Sequence, residues 1–285
     1  MAADGMKGGL RRLFRLWGVS AYLDLLWMTR DLKQFLLYWL SDLVLNVAAV
    51  TAVFLLAERF ERIGAWTKPQ ILFMLGYATV VKGVLELFFG YNILYISRRL
   101  GRGQLDHTLV QPQPLPLALL TEGFVPFSGS AVLLVGAGLL VWATTRLGTP
   151  LTAGWVAFVC LNLAASAVVV LAFTFLCGSL AFWAPRSAEE INSSSLGLMH
   201  QLQVFPLDGL GPVLLTGLMT VLPVGLIAWF PCRGLLGLAD LGRGTAITCM
   251  GALLLAALAA GVFRLGLRQY GRTGSQRYVS SGHRR

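Results

Sequence analysis

The side chains that could do chemistry are few, and their spacing excludes most reactions. A phosphate-cradling loop of the Walker A kind needs a Lys directly after a Gly, and none of Lys7, Lys33, Lys68 and Lys82 follows one. Gly101 and Gly103 open a G-x-G, but Asp106 stands where the third Gly of a dinucleotide fingerprint belongs, and no βαβ unit surrounds it. His107, His200 and His283 have no partners at metal-ligand spacing, so neither a metal site nor a catalytic triad is expected. Cys160, Cys177, Cys232 and Cys249 form no C-x-x-C pair and read as small core residues. The chain is therefore not expected to be an enzyme, nor to bind a cofactor itself.

What remains is a set of polar side chains inside long apolar runs. An unpaired charge at the centre of a bilayer costs roughly 2.5 to 3.5 kcal/mol on insertion scales, so it tends to face a cavity or a partner. Lys82 and Glu86 stand at i, i+4 midway along one run, and Asp42 and Asn46 repeat that spacing in the run before it. Two readings are open: these four line a translocation path, or the pairs neutralise themselves and fix helix packing. For Asp42, near a run's end, a solvated or capping role is also open.

The elements that must position these residues follow from composition. Hydrophobic residues make up 56% of the 285 and charged ones only 13%, about half the charge of a soluble domain, so lipid is the expected solvent. Six apolar segments, about 35–57, 71–95, 124–145, 153–184, 212–230 and 246–263, approach or exceed the roughly 20 residues that cross a bilayer as a helix. The expected fold is all-α and integral to the membrane. With the amino terminus in the cytoplasm, the inner segments hold sixteen Lys and Arg and the outer ones six, which places both termini inside. The net charge of +10 belongs to these flanks, and no nucleic acid is expected as a partner.

Residues 10–27 set Leu10, Leu13, Phe14, Trp17 and Ala21 against Arg11, Arg12 and Arg15, the pattern of a helix lying on the membrane surface. No cleavage site follows the first apolar run, so no removable signal peptide is expected. The chain divides into a tail and interface helix at 1–33, a transmembrane domain at 34–268 and a basic tail at 269–285. Ala252, Ala256 and Ala260 share a face of the last span and mark close helix packing, within the chain or across a dimer; Gly129, Gly136 and Gly138 offer the same in the third.

The stretch Ile96 to Pro116 resembles the signature loop between the second and third spans of the permease subunits of ABC-2-type ABC exporters, written "isR.lr.GeLD..L.rP.p". Arg98, Gly103, Leu105, Asp106, Leu109 and Pro112 match it, and Gln104 replaces the usual Glu. Val204, Phe205, Pro206 and Leu207, followed by Leu222, Pro223 and Pro231, are similar to that family's "fPl…lP…P" region, and Gly266, Leu267, Arg268 and Tyr270 to its terminal "GLrrY".

The resemblance implies a permease of the prokaryotic cytoplasmic membrane that forms an efflux path with a second copy or a related permease. It implies a separate ABC ATPase that carries the ATP and Mg²⁺, docked on a coupling loop at about 97–118. Arg98, Arg102, Gly103, Gln104, Leu105 and Asp106 are then expected at that contact. The family also carries short re-entrant helices between spans five and six, with which 231–245 is compatible. A different class, an ion-coupled secondary transporter with Lys82, Glu86 and Asp42 as its relay, is the alternative; the lack of a detectable repeat counts against it. Sparse polar lining among Phe, Leu and Trp favours an amphiphilic or hydrophobic cargo.

Overall fold

The structure, a computed structural model, describes residues 2–59, 62–63, 65–94, 96–121, 123–149 and 151–274. Residues 275–285 of the expected tail and the side chains of Lys7 and Leu10 lie outside the described residues. The chain forms two compact units, Met1–Ile93 with Pro112–Thr149, and Leu94–Gln111 with Pro150–Arg285.

In the first unit, α1 (Ala2–Arg30) is helical throughout the stretch that carries the two-sided pattern. It turns at Asp31 into α2 (Leu32–Arg59), where the Asp31 carboxylate accepts from the Gln34 N–H at 3.2 Å and caps the new helix. Trp27 and Phe35 meet edge to face at 5.9 Å across this corner. After a two-residue antiparallel pairing of β1 (Arg62–Ile63) with β2 (Trp66–Thr67), α3 (Lys68–Leu94) runs through the unit's core. Its partner is α7 (Ser130–Leu147), reached through α6 (Leu115–Thr121).

Glycines let the backbones of α3 and α7 touch. A Cβ on Gly76 would lie 2.7 Å from the Leu140 nitrogen, and one on Gly136 would lie 2.6 Å from the Val80 nitrogen. Of the glycines expected to pack in the third span, Gly136 does so, whereas Gly138 faces open space. The helix α7 starts at Ser130 rather than near 124, because Pro126 and Gly129 sit in a turn before it.

In the second unit, α4 (Ile96–Gly101) and α5 (Leu105–Leu109) precede α8 (Ala153–Ser179), which Thr152 caps by accepting from the Trp155 N–H at 3.2 Å. A 3₁₀ turn at Leu180–Phe182 leads to α9 (Pro185–Leu202). Then come α10 (Pro212–Thr220), α11 (Trp229–Leu235) and the long α12 (Leu241–Thr273), which Asp240 caps. Proline at the first position of α9 and α10 suits a site where no helical N–H is needed.

The helices α8 and α12 run parallel. Asn162 donates to Thr245 at 2.8 Å, Phe175 meets Phe263 at 5.6 Å, and Phe182 meets Tyr270 at 5.9 Å, so residue numbers climb together along both. Residues between them must therefore return along the whole length. At the Phe182 end, Asn192 of α9 donates to Ser97, and a Cβ on Gly178 of α8 would collide with the Ile96 side chain. At the other end, Asp208 accepts from Trp229 Nε1 at 2.7 Å, and Trp155 donates to the Leu235 carbonyl at 3.1 Å. The return is made between Asn192 and Asp208, over the second half of α9 and the turn that follows it.

Among the described residues five helices are long and apolar enough to cross a membrane, α2, α3, α7, α8 and α12, and α10 with α11 pass only as a pair bent by 71°. The chain is an all-α, multi-pass membrane protein. The segment expected as the fifth span, 212–230, is a broken one: Pro223 interrupts the helix and the two pieces diverge.

Candidate functional site

In the first unit the four polar residues of the first two spans form one connected network rather than two pairs. Asn46 donates from Nδ2 to the Asp42 carboxylate at 2.9 Å, and Lys82 Nζ donates to Asn46 Oδ1 at 3.0 Å. Lys82 Nζ also stands 3.7 Å from Glu86 Oε1. Asn46, which is buried, is the bridge between α2 and α3. The Lys82 and Glu86 side chains each remain one-third exposed, so the network is reachable from outside the unit. It holds two carboxyl groups and one amine, joined through the Asn46 amide.

A buried carboxylate outside this network had no signal beyond one acid in the amphipathic stretch 10–27. Asp24 of α1 accepts from the N–H groups of Phe127 and Ser128 at 2.8 and 3.1 Å, and from the Ser128 hydroxyl at 2.8 Å. Those donors lie in the turn before α7, so an acid of α1 anchors the turn that leads into it. Further ties follow the same stretch: Arg12 donates to the Pro112 carbonyl, Ser20 donates to the Thr121 carbonyl, and Trp17 stacks on Phe124 at 5.4 Å.

In the second unit, α4 and α5 are built around one left-handed residue. Gly103 has φ +69°, its N–H donates to the Leu100 carbonyl, and the Gln104 N–H donates to the Arg99 carbonyl at 3.0 Å. This is a Schellman ending of α4, and it is the backbone reason for Gly in the motif. Arg99, buried, donates to Thr108 Oγ1 at 2.6 Å and clasps α4 to α5.

The residues expected at an ATPase contact divide sharply by environment. Arg102 and Gln104 are exposed on the turn, together with His107, Leu109 and Val110. Gly103 and Leu105 are buried. Arg98 donates to Glu189 Oε1 of α9 at 2.8 Å, and Asp106 accepts a hydrogen bond from the Tyr270 hydroxyl of α12. Glu189 and Asn192 were invisible as partners in sequence, because α9 reads as a polar loop. Tyr270 lies in a recognisable segment but carried no assigned role.

On α12 the buried positions are Gly244, Thr245, Thr248, Ala252, Ala259, Gly266 and Tyr270. Of the three alanines expected to pack, Ala252 is buried, Ala256 half-buried and Ala260 exposed. The seam advances by about seven residues, as it does for two helices at a shallow crossing angle, so a strict four-residue stripe drifts off it. The face of α9 opposite its buried side opens on a cleft lined by Arg186, Glu189, Glu190, Ser193 and Ser194. Among the described residues no group of His, Cys, Asp and Glu could hold a metal ion.

No curated protein and no solved structure matches the chain. A family model described as "ABC-2 family transporter protein" matches residues 43–274, from inside α2 to the end of α12. With most of its length matched, the chain belongs to the ABC-2 family of transporter proteins, as a permease.

Proposed function

We propose that the chain is the membrane subunit of an ATP-driven exporter, working as a dimer and driven by a separate ATPase that docks on the α4–α5 turn. ATP and Mg²⁺ belong to that partner. The observation that carries the reading is the division of the motif: Arg102 and Gln104 face outward on a rigid turn, whose remaining residues are held within the second unit. A docking element needs that combination, a presented tip on a braced base.

In this reading the chain crosses a prokaryotic cytoplasmic membrane six times, with both termini in the cytoplasm. The crossings are α2, α3, α7, α8, α9 and α12, and the bent pair α10–α11 re-enters from the outer side. Support for α9 as the fifth crossing comes from the parallel α8 and α12, which require a return. A polar helix face inside a membrane belongs on a water-filled path or a partner. The α9 cleft and the Lys82 network are then polar surfaces among apolar spans, which suits an amphiphilic cargo. Lys82 engaged by both Asn46 and Glu86 favours a brace between spans over an ion relay.

The test of coupling is co-purification of the full-length chain with the ATPase. Arg102→Ala with Gln104→Ala should weaken assembly by about tenfold or more, on the scale of two lost polar contacts. Assembly at wild-type strength would refute the docking site. The topology has its own test: single cysteines at Ser187 and Gly209 should react with a membrane-impermeant maleimide from opposite sides, and reaction from the same side excludes α9 as a crossing.

A further inference from the structure

Asp106 and Tyr270 stand 164 residues apart in sequence, in two separate family-like segments, and their side chains are hydrogen-bonded to each other. The coupling segment is flanked in sequence on both sides by the first unit, yet residues 94–111 belong to the second. Its attachments there are specific. Ile96 fills the space that a side chain at Gly178 would need, Ser97 accepts from Asn192, and Arg98 pairs with Glu189. Those three act on α4. The Asp106–Tyr270 bond acts on α5, beyond the exposed turn, and its other end is a continuous helix of 33 residues.

Tyr270 is itself held firmly. It is buried, meets Phe182 edge-on at 5.9 Å, and one turn earlier Gly266 lies so close to the same ring that a Cβ would collide with it. The phenol oxygen is thus a fixed point on α12. Further along, Asn162 ties α12 to α8 through Thr245, and a Cβ on Gly251 would lie 2.8 Å from Leu226 in the bent segment. A displacement delivered at Tyr270 has a stiff path to the far end of the unit.

We propose that Tyr270 is a positioning residue for energy coupling: its hydroxyl latches Asp106, so that a push on Arg102 and Gln104 displaces α12. The inference rests on the reading of α4–α5 as the ATPase contact. It assigns Asp106 an inward task, whereas the exposed pair makes the outward one.

The experiment uses the full-length chain with its four cysteines replaced by alanine and Gly242→Cys labelled with bimane, assembled with the ATPase in nanodiscs and trapped with ADP and vanadate. With Tyr270 intact, trapping should shift the bimane emission. In Tyr270→Phe, which keeps the ring against Phe182, and in Asp106→Asn, the shift should fall about tenfold, the scale of one hydrogen bond to a carboxylate, while assembly and vanadate trapping persist. The double variant should fall no further than either single one. A shift kept within about twofold in both single variants, or losses that multiply in the double, overturns the latch. A chain with Tyr270 intact that assembles and traps but shows no shift also overturns it. Failure of that chain to bind the ATPase at all sinks the coupling reading instead, and is seen before any variant is compared.

Discussion

Replacing Asp24 offers the sharpest measure of how the surface helix is held. Its carboxylate is 7% exposed and accepts three hydrogen bonds, from the Phe127 N–H, the Ser128 N–H and the Ser128 hydroxyl. Hydrogen bonds to a charged acceptor contribute about 1.5 to 3 kcal/mol each in mutational series. The three share one acceptor and are not additive, and water entering beside a truncated side chain would recover part of the loss. Asp24→Ala should therefore destabilise by about 3 kcal/mol, and Asp24→Asn, which keeps one acceptor oxygen, by about half of that. The assay is unfolding by titrated SDS in mixed micelles, with Ser128→Ala added to close a double-mutant cycle. A coupling energy of about 1 kcal/mol or more between Asp24 and Ser128 is expected. Equal stability of Asp24→Ala and the unaltered chain would refute the anchor, and a zero coupling would show that the hydroxyl is held by something else.

Other substitutions test the remaining contacts. Gly178→Ala should push Ile96 out of its seat and lower assembly with the ATPase, and Ile96→Ala in the same chain should restore it; a loss that Ile96→Ala does not relieve argues against the seat. In the first unit, Lys82→Ala should cost more than Glu86→Ala, because it removes both the donor to Asn46 and the partner of Glu86. The double variant should recover part of that loss, with roughly 1 to 2 kcal/mol separating the extremes once partial exposure is discounted; equal costs in folded yield and SDS titration would contradict the network. Asp208→Ala should free Trp229, whose indole donates to that carboxylate and lies beneath the Arg233 guanidinium at 5.0 Å, and red-shift its emission. An unchanged spectrum, read with the other tryptophans replaced by Phe, would count against that anchor.

Length and apolarity made five crossing helices legible, because a run that fills a bilayer has almost no alternative. The boundaries failed where a non-helical device intervened. The helix α3 bends at Gly90, whose φ of +54° no ordinary residue adopts cheaply, between Phe89 and Tyr91 where composition marks no break. The helix α9 was lost for the opposite reason. Glu189, Glu190, Asn192 and three successive serines read as a loop, since hydropathy picks out apolar helices and passes over polar ones. The site was half legible. Spacing on one helix pairs Lys82 with Glu86, but the register between α2 and α3, which adds Asn46, is set by packing and leaves no trace in local spacing. Asp24 binds backbone N–H groups, which have no sequence signature at all.

The departure of Gln104 from the family pattern acquires a physical meaning from the same division of inside and outside. A Schellman ending requires Gly at position 103 for its left-handed backbone, but the residue after it contributes only an N–H, which any residue other than proline supplies. The side chain at 104 is exposed, so exchanging Glu for Gln there alters the charge of the presented tip without disturbing the base. Asp106 has no such latitude, because Tyr270 donates to it from a buried ring. Under the proposed docking, the charge at position 104 belongs to the recognition of a particular ATPase, and the structural requirement lies in the inward contacts that receive its motion. A partner suited to this chain should then present less positive charge opposite position 104 than one suited to a Glu-bearing permease. Gln104→Glu should weaken assembly with the cognate ATPase while leaving the SDS stability of the permease unchanged.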